Sequence, residues 1–534
     1  MTKLNAASVG RQGSIDVVKN TSKSGKNKFN QNIQNVFTAL DKSNDGFISR
    51  ENLKHTLEKC GILNDDPRLD EMRDRLNTGK DELNIGEFVA LSEKHFSLFE
   101  RAVKDKFVVP NFPDFVAELT EIFDICKEIK DGAVADYIPQ LGRVDPELFG
   151  MGTCTVDGQR ASIGNANQRY CVQSTCKPIN YAMALTLNGA EKVHQHVGRE
   201  PSGRSFNELT LSEAGLPHNP MINAGSIMSC SLIKPELELS DRFDYVMQTW
   251  TALSGGTQPG YNNPVYLSEK ATADRNFALA YFMQEKGAFP KGTNLLETLD
   301  FYFQSCSLEV TAESMSVVAA TFANAGVCPL TNERIFSEET VRNCLSLMGS
   351  CGMYDFSGEF AFTIGVPAKS GVSGALMVVI PNVAGFAIWS PRLDKLGNSV
   401  RGIEFCRHLV NRFSFHNFDG IGKPSSKKDP TTSVKQTQSD NVFQLISAAS
   451  NGDLQELARL IAHGADINAA DYDGRTPLHL AAAEGKEMAV SYLLNHGANA
   501  KAKDRWGATP MTDAKNHGHK SIESRLKKAE GIAA

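Results

Sequence analysis

Gln173-Ser174-Thr175-Cys176-Lys177-Pro178, answered roughly two hundred residues later by Pro367-Ala368-Lys369-Ser370-Gly371, decides the fold of this chain. The first stretch offers a hydroxyl nucleophile and a lysine at i+3, which share one face of a helix. The second adds another lysine beside a short polar strand. A serine hydroxyl attacks an amide only if a neighbouring group takes its proton, so this pairing supplies what acyl transfer needs. Pro178 fits only near a helix start, and Ile179, Ala182, Met183 and Leu187 recur at helical spacing up to Gly189, the expected stop. Ser174 should therefore stand at a helix N-terminus, where free N–H groups and the dipole favour an oxyanion. Beyond Lys369-Ser-Gly, Ala375–Ile380 and Gly385–Trp389 flank Pro381-Asn382 and read as an antiparallel hairpin of buried strands.

Each short motif recurs elsewhere. Ser-x-x-Lys is found at Ser231–Lys234, Ser425–Lys428 and Ser524–Lys527, and Lys-Ser-Gly at Lys23–Gly25. Position separates most of them: the Lys23 copy precedes every candidate serine, the Ser425 copy lies in low-complexity sequence, and Ser524 belongs to a repeat module. Ser231 stays open but has less organised surroundings. The bland reading of Ser174 is an ordinary helix cap. A helix-borne serine followed by a strand-borne Lys-Ser-Gly is similar to the arrangement in serine β-lactamases and penicillin-binding enzymes.

Longer segments narrow the resemblance. Ala135-Asp-Tyr-Ile-Pro-Gln140, Cys154-Thr-Val-Asp-Gly-Gln-Arg160, Gln173–Pro178 and Pro217-His-Asn-Pro-Met-Ile-Asn-Ala-Gly225 resemble animal, kidney-type-like glutaminases. So do Leu299-Asp-Phe-Tyr-Phe-Gln304, Ser350-Cys-Gly-Met-Tyr-Asp-Phe-Ser-Gly358 and Pro367–Gly371. The match is colinear from about Ala135 to about Asn417 and continues into flanking modules in the family's order. It implies an α+β, β-lactamase-like catalytic domain that hydrolyses L-glutamine to L-glutamate and ammonia, in glutamine catabolism and glutamate biosynthesis. It further implies a Ser174 glutamyl-enzyme, Lys177 assisting deprotonation and Tyr354 shuttling the proton. Glu269 would meet the substrate ammonium, Asn223 and Asn276 the head group, Tyr137 and Tyr302 would close the pocket, and the Val372 N–H would join that of Ser174 in an oxyanion hole. Read alone, Tyr302 is a core aromatic and Asn223 a turn residue. No cofactor or metal is implied. A homo-oligomer, dimer to tetramer, and a mitochondrial matrix location are, with cytosol the alternative. One departure stands out in Phe206–Ser212. Vertebrate relatives carry a lysine at the place of Glu208 and a phenylalanine at that of Thr210 in the segment that couples phosphate activation to assembly. An anion there disfavours phosphate, so weak phosphate activation is expected.

Composition bounds the alternatives. The 534 residues are too many for one core, and 41% hydrophobic with 22% charged is ordinary for a soluble globular protein. A formal charge of −6 and the lack of a basic, aromatic stripe argue against nucleic acid. The longest apolar run, Leu376–Ile388, is broken by Pro381 and Asn382 and is too short for a membrane span. Eleven scattered cysteines, an odd number without zinc spacing, fit a reducing compartment. Cys176 reads as a small buried hydrophobe, with reactivity beside Lys177 the alternative. His194-Gln-His196 is an isolated pair expected on the surface. The first thirty residues carry one arginine, Arg11, and no apolar core, making a poor leader.

Along the chain we expect a disordered tail (1–30), an all-α EF-hand-like module (31–120), the catalytic domain (121–417), a mobile linker (418–440) and all-α ankyrin repeats (441–534). Asp41-Lys-Ser43-Asn-Asp45-Gly46-Phe-Ile-Ser49 follows an EF-hand loop, but its twelfth position is Asn52 rather than the bidentate glutamate, so tight calcium binding is not expected. At the C-terminus Asp473-Gly-Arg-Thr-Pro-Leu-His479 recurs 33 residues on as Trp506-Gly-Ala-Thr-Pro-Met-Thr512, the ankyrin period. That module either presents a protein-binding surface or caps the catalytic domain. Two rival readings are a β-lactam or peptide acyl-hydrolase and an ankyrin scaffold around an inactive enzyme domain.

Overall fold

The computed structural model describes residues 33–78, 81–92, 96–203, 208–419, 427–432, 434–462 and 465–531. The tail expected over 1–30, Phe206 and Asn207 of the departing segment, and Ser425 lie outside them. The chain divides into two compact units, one of residues up to Phe107 with Gly158–Arg160, the other the remainder.

In the first unit short helices enclose Val36, Phe37, Leu53, Phe88 and Phe99, and Ile48–Ser49 pairs antiparallel with Glu82–Leu83. The Asp41 loop closes on itself. The Asp41 carboxylate accepts the amides of Asp45 (3.3 Å) and Gly46 (2.8 Å) and the Ser43 hydroxyl (3.3 Å). Ser49 caps the next helix by accepting the Asn52 amide at 3.1 Å.

The second unit is built on a five-stranded sheet: β1 (Gly150–Thr155), β2 (Arg160–Gly164), β3 (Ala368–Ser370), β4 (Ala375–Ile380) and β5 (Ala384–Trp389), ordered β2-β1-β5-β4-β3. The expected hairpin is β4–β5, antiparallel with Ala384 opposite Ile380, and Asn382 in the turn takes φ +63. β4 reads as a continuous apolar run because both its faces are covered. Ala375, Met377 and Val379 enter one core, and Leu376, Val378 and Ile380 the other. The first core includes helix Ala312–Ala323, and the second lies under helices Phe112–Lys127 and Val400–Arg412.

Helix Phe112–Lys127 runs across the boundary expected at 120/121. Its Phe115 meets Phe413 and Phe386 with ring centroids 5.1 and 6.5 Å apart, so the helix packs with the sheet. At the other end, helix Val434–Asn451 begins inside the stretch expected as linker. The Gly- and Pro-bearing composition that suggested a linker ends at Pro430, and helix-compatible sequence follows. The C-terminal helices stack with Leu478, Ala481, Leu493, Ala514 and Leu526 inside. Thr476 and Thr509 each form a capping box one repeat apart. No described helix is long and apolar enough to cross a membrane.

Candidate active site

Ser174 stands on a short 3-10 turn, Gln173–Cys176, that runs directly into helix Lys177–Asn188. It lies one turn ahead of the helix, whose cap is Cys176, rather than at the cap itself. The helix is also buried on all sides from Lys177 to Leu185, and Leu187 is exposed, so its apolar spacing does not mark a single buried face.

Lys177 Nζ donates to Ser174 Oγ at 3.0 Å and to Asn223 Oδ1 at 2.7 Å, and Asn223 Nδ2 donates to Asn276 Oδ1 at 3.0 Å. Lys177 is fully buried, and that burial lowers its pKa below the ordinary lysine value against the pull of Cys306, Cys176 and Glu269. Glu269 is buried in the same pocket. Desolvation pushes its pKa up to about 7, opposed by a hydrogen bond from Gln173 Nε2 (3.2 Å) and the Lys177 charge.

One small pocket gathers Tyr137, Ser174, Asn223, Glu269, Asn276 and Tyr302. Tyr302 is buried, and desolvation ahead of the nearby Cys306 and Glu269 raises its phenol well above the ordinary value. Tyr137 is 55% exposed as a residue, yet its phenol end is enclosed. Desolvation, then Glu269, raises its pKa as well.

Tyr354 lines a wider neighbouring cleft with Asn219, Met221 and Ser350. Burial raises its pKa, and the nearby Ser174 hydroxyl opposes the rise, which sets the phenol close to the nucleophile. Val372 follows β3 and packs with Tyr354 and Leu393. Its turn lies hard against the Ser174 turn: a Cβ at Gly371 would stand 3.0 Å from Val172 O and 3.2 Å from Thr175 Cγ2. Gly371 N–H donates to Ala375 O at 2.8 Å, whereas among the described residues the Val372 N–H takes no backbone carbonyl.

Two features escaped the sequence reading. Gln173 and Tyr354 both have left-handed backbones (φ +46 and +54), a strained state for residues with side chains. Gln173 also bridges Glu269 and Cys306 O (3.3 Å). Its place in the Gln173–Pro178 motif was the available signal. Cys176 is fully buried, with its Sγ 4.0 Å from that of Cys306, which fits the small-hydrophobe reading. His194 and His196 are half-buried and structural rather than a surface pair. Tyr181 Oη is 2.8 Å from His194 Nε2, and His196 Nδ1 is 2.7 Å from Ala288 O. Among the described residues no group of three or more His, Cys, Asp or Glu is placed to hold a metal ion.

An antiparallel sheet under helices, with a Ser-x-x-Lys turn pressed against the end of a Lys-Ser-Gly strand, defines a hydrolase domain of β-lactamase-like fold. Comparison with known proteins narrows the class. The glutaminase family model matches residues 132–418, the ankyrin repeats (3 copies) model 445–531 and an EF-hand domain model 33–110. Putative glutaminase 2 of Caenorhabditis elegans is 45% identical, covering 84% of this chain and 76% of that one. The mitochondrial liver isoform glutaminase of Rattus norvegicus is 46% identical, covering 80% and 72%. Among solved structures, native Mglu is 35% identical with a TM-score of 0.54, covering 59% of this chain and 74% of that one. A probable glutaminase from Bacillus subtilis complexed with 6-diazo-5-oxo-L-norleucine is 30% identical with a TM-score of 0.51, covering 57% and 95%. The chain belongs to the glutaminase family.

Proposed function

We propose that the protein hydrolyses L-glutamine to L-glutamate and ammonia through a glutamyl ester on Ser174. The observation that carries this reading is the Ser174–Lys177 contact of 3.0 Å on a buried lysine, opening onto a pocket that holds Glu269. Glu269 as carboxylate receives the substrate ammonium. The Asn223 and Asn276 amides face the rest of the head group, and Tyr137 and Tyr302 close over the side chain. Ser174 Oγ attacks the side-chain amide carbon as neutral Lys177 takes its proton, which is then relayed through the Tyr354 hydroxyl. The N–H groups of Ser174 and Val372 receive the oxyanion. Tyr354 returns the proton to the departing nitrogen, which leaves as ammonia, and water then cleaves the ester by the same route in reverse. Burial supports these roles: a buried lysine is more readily neutral and able to accept a proton than an exposed one.

The test is glutamate and ammonia release by the wild type and by Ser174→Ala, with mass spectrometry after 6-diazo-5-oxo-L-norleucine treatment. A covalent adduct on the Ser174 peptide is expected. Turnover that survives Ser174→Ala, or an adduct elsewhere, overturns the assignment.

The mitochondrial rat and mouse relatives support a mitochondrial matrix location, read by fractionation of tagged protein. We also take the chain to be a homo-oligomer, dimer to tetramer, read by light scattering, and its ankyrin repeats to offer a protein-binding surface. Glu208 and Thr210 predict weak activation by phosphate. A several-fold rise in activity with phosphate that Glu208→Lys leaves unchanged argues against that.

A further inference from the structure

Lys369 has no part in the scheme above, yet it is fully buried. Its amino group is not placed among the residues lining the substrate pocket. Nζ donates to Gly352 O at 3.1 Å and to Ser370 O at 2.7 Å, and stands 4.6 Å from the centroid of the Tyr354 ring. Two carbonyls accept its N–H groups and an aromatic face lies against the same nitrogen.

The partners define what Lys369 joins. Gly352 is the C-cap of helix Glu338–Cys351, where carbonyl oxygens left without helical partners accept an N–H donor. Tyr354 follows two residues later, in a left-handed conformation that the local sequence does not favour. The strand end at Ser370 leads directly to Val372. Helix end and strand are already in close apposition. Ser370 N–H also donates to Gly352 O at 3.1 Å, and a Cβ on Gly352 would stand 1.8 Å from Ala368 O. Other bonds close the tyrosine turn, with Ser357 Oγ donating to Tyr354 O at 2.7 Å and accepting Met353 N–H at 3.0 Å. None of these reaches the ring. Lys369 Nζ is stacked over the Tyr354 face, and burial, then the Lys177 charge, holds its pKa well below the ordinary lysine value.

We propose that Lys369 is a positioning residue for Tyr354: it clamps the strained tyrosine turn to the strand carrying Val372 and holds the phenol at Ser174. The proposal rests on the glutaminase reading, in which Tyr354 moves the proton. A phenol displaced by about 1 Å from its proton partner costs about 100-fold in rate. Because the lysine does not touch substrate, the loss falls on kcat rather than KM.

The experiment is a double-mutant cycle on the full chain with L-glutamine: wild type, Lys369→Met, Tyr354→Phe and the pair, with circular dichroism and thermal melting of each. Lys369→Met is expected to lower kcat about 100-fold with KM changed less than about threefold. In the Tyr354→Phe background the same substitution is expected to cost less than about threefold, because the group it positions is gone. An equal loss in both backgrounds overturns the proposal, as does a loss confined to KM. If Lys369→Met does not fold, Lys369→Gln, which keeps donors for the carbonyls without the charge, is carried through the same cycle. Failure of the glutaminase reading shows separately, as a wild type inactive on L-glutamine or a Ser174→Ala variant that stays active.

Discussion

The Ser174 turn and the Asp41 loop are both announced by short motifs of polar residues, and the structure treats them in opposite ways. Around Ser174 the ionisable groups are taken out of water and set against one another: Lys177 is pushed down, Glu269 up to about 7, Tyr354 up. In the Asp41 loop Asn44, Asp45 and Gly46 are exposed, and Asp41 spends its oxygens on the loop's own amides. A motif becomes a reactive site when tertiary packing removes water and leaves each charged group dependent on the others. Where solvent remains and the chain satisfies itself, the same kinds of side chain shape a turn.

The largest effect expected from this contrast is at the nucleophile. Ser174→Ala should lower kcat by about 10⁴-fold or more, leaving only the contribution of binding and oxyanion stabilisation. Asp41→Ala, three lost hydrogen bonds in the other unit, should leave kcat unchanged while lowering the stability of that unit by roughly 1–2 kcal/mol. Steady-state ammonia release and thermal melting of both variants make the comparison. A fall in kcat for Asp41→Ala with the fold intact would break it.

Tyr354→Phe comes next. Removing a proton shuttle costs about 10²- to 10³-fold in kcat. KM should move little, because the ring that lines the wider cleft remains. A large rise in KM with kcat retained would make Tyr354 a binding group instead.

Glu269 supplies a pH test. Its pKa of about 7 means that the carboxylate forms as pH rises through 7 and is lost below it. A substrate ammonium needs the carboxylate, so KM should rise as pH falls below about 7 and level off above. Glu269→Gln should raise KM about 10- to 100-fold and flatten that dependence, the range expected for losing a charged hydrogen bond. A KM profile that is flat in the wild type sinks the assignment.

What could be read from the chain follows from which interactions are local. Ser174 and Lys177 meet because i+3 spacing places them together, and β4–β5 is legible because a doubly covered hairpin is written as two apolar runs around Pro381-Asn382. The left-handed backbones of Gln173 and Tyr354 are not legible: neither residue type signals φ above zero, and surrounding packing imposes it. The role of Lys369 depends on a strand meeting a helix cap seventeen residues upstream, a tertiary fact. The 120/121 boundary expected from sequence falls inside helix Phe112–Lys127, whose amphipathic pattern is the same whether it packs on the N-terminal helices or on the sheet. Only Phe386 and Phe413 decide between them.

The smallest expected effect tests the quieter half of the comparison. With Asn52 at the twelfth position the loop lacks the bidentate carboxylate, and an affinity no tighter than about 1 mM gives at most about 0.4 kcal/mol of stabilisation in 1 mM calcium. Melting of the wild type should therefore shift by no more than about 3 °C. Asn52 is exposed, and its amide already sits on the Ser49 cap, so Asn52→Glu adds the missing ligand without disturbing the helix start. At an affinity near 10 μM the same calcium would contribute about 2.7 kcal/mol, enough to raise the melting point of a unit this size by roughly 10–20 °C. A rise in the variant alone shows that one absent carboxylate separates this loop from a binding site. Equal shifts in both proteins would mean that the wild-type loop already binds, and the contrast with Ser174 would then lie in exposure alone. No shift in either would place the defect in the rest of the loop, where Asp41 is held by its own backbone.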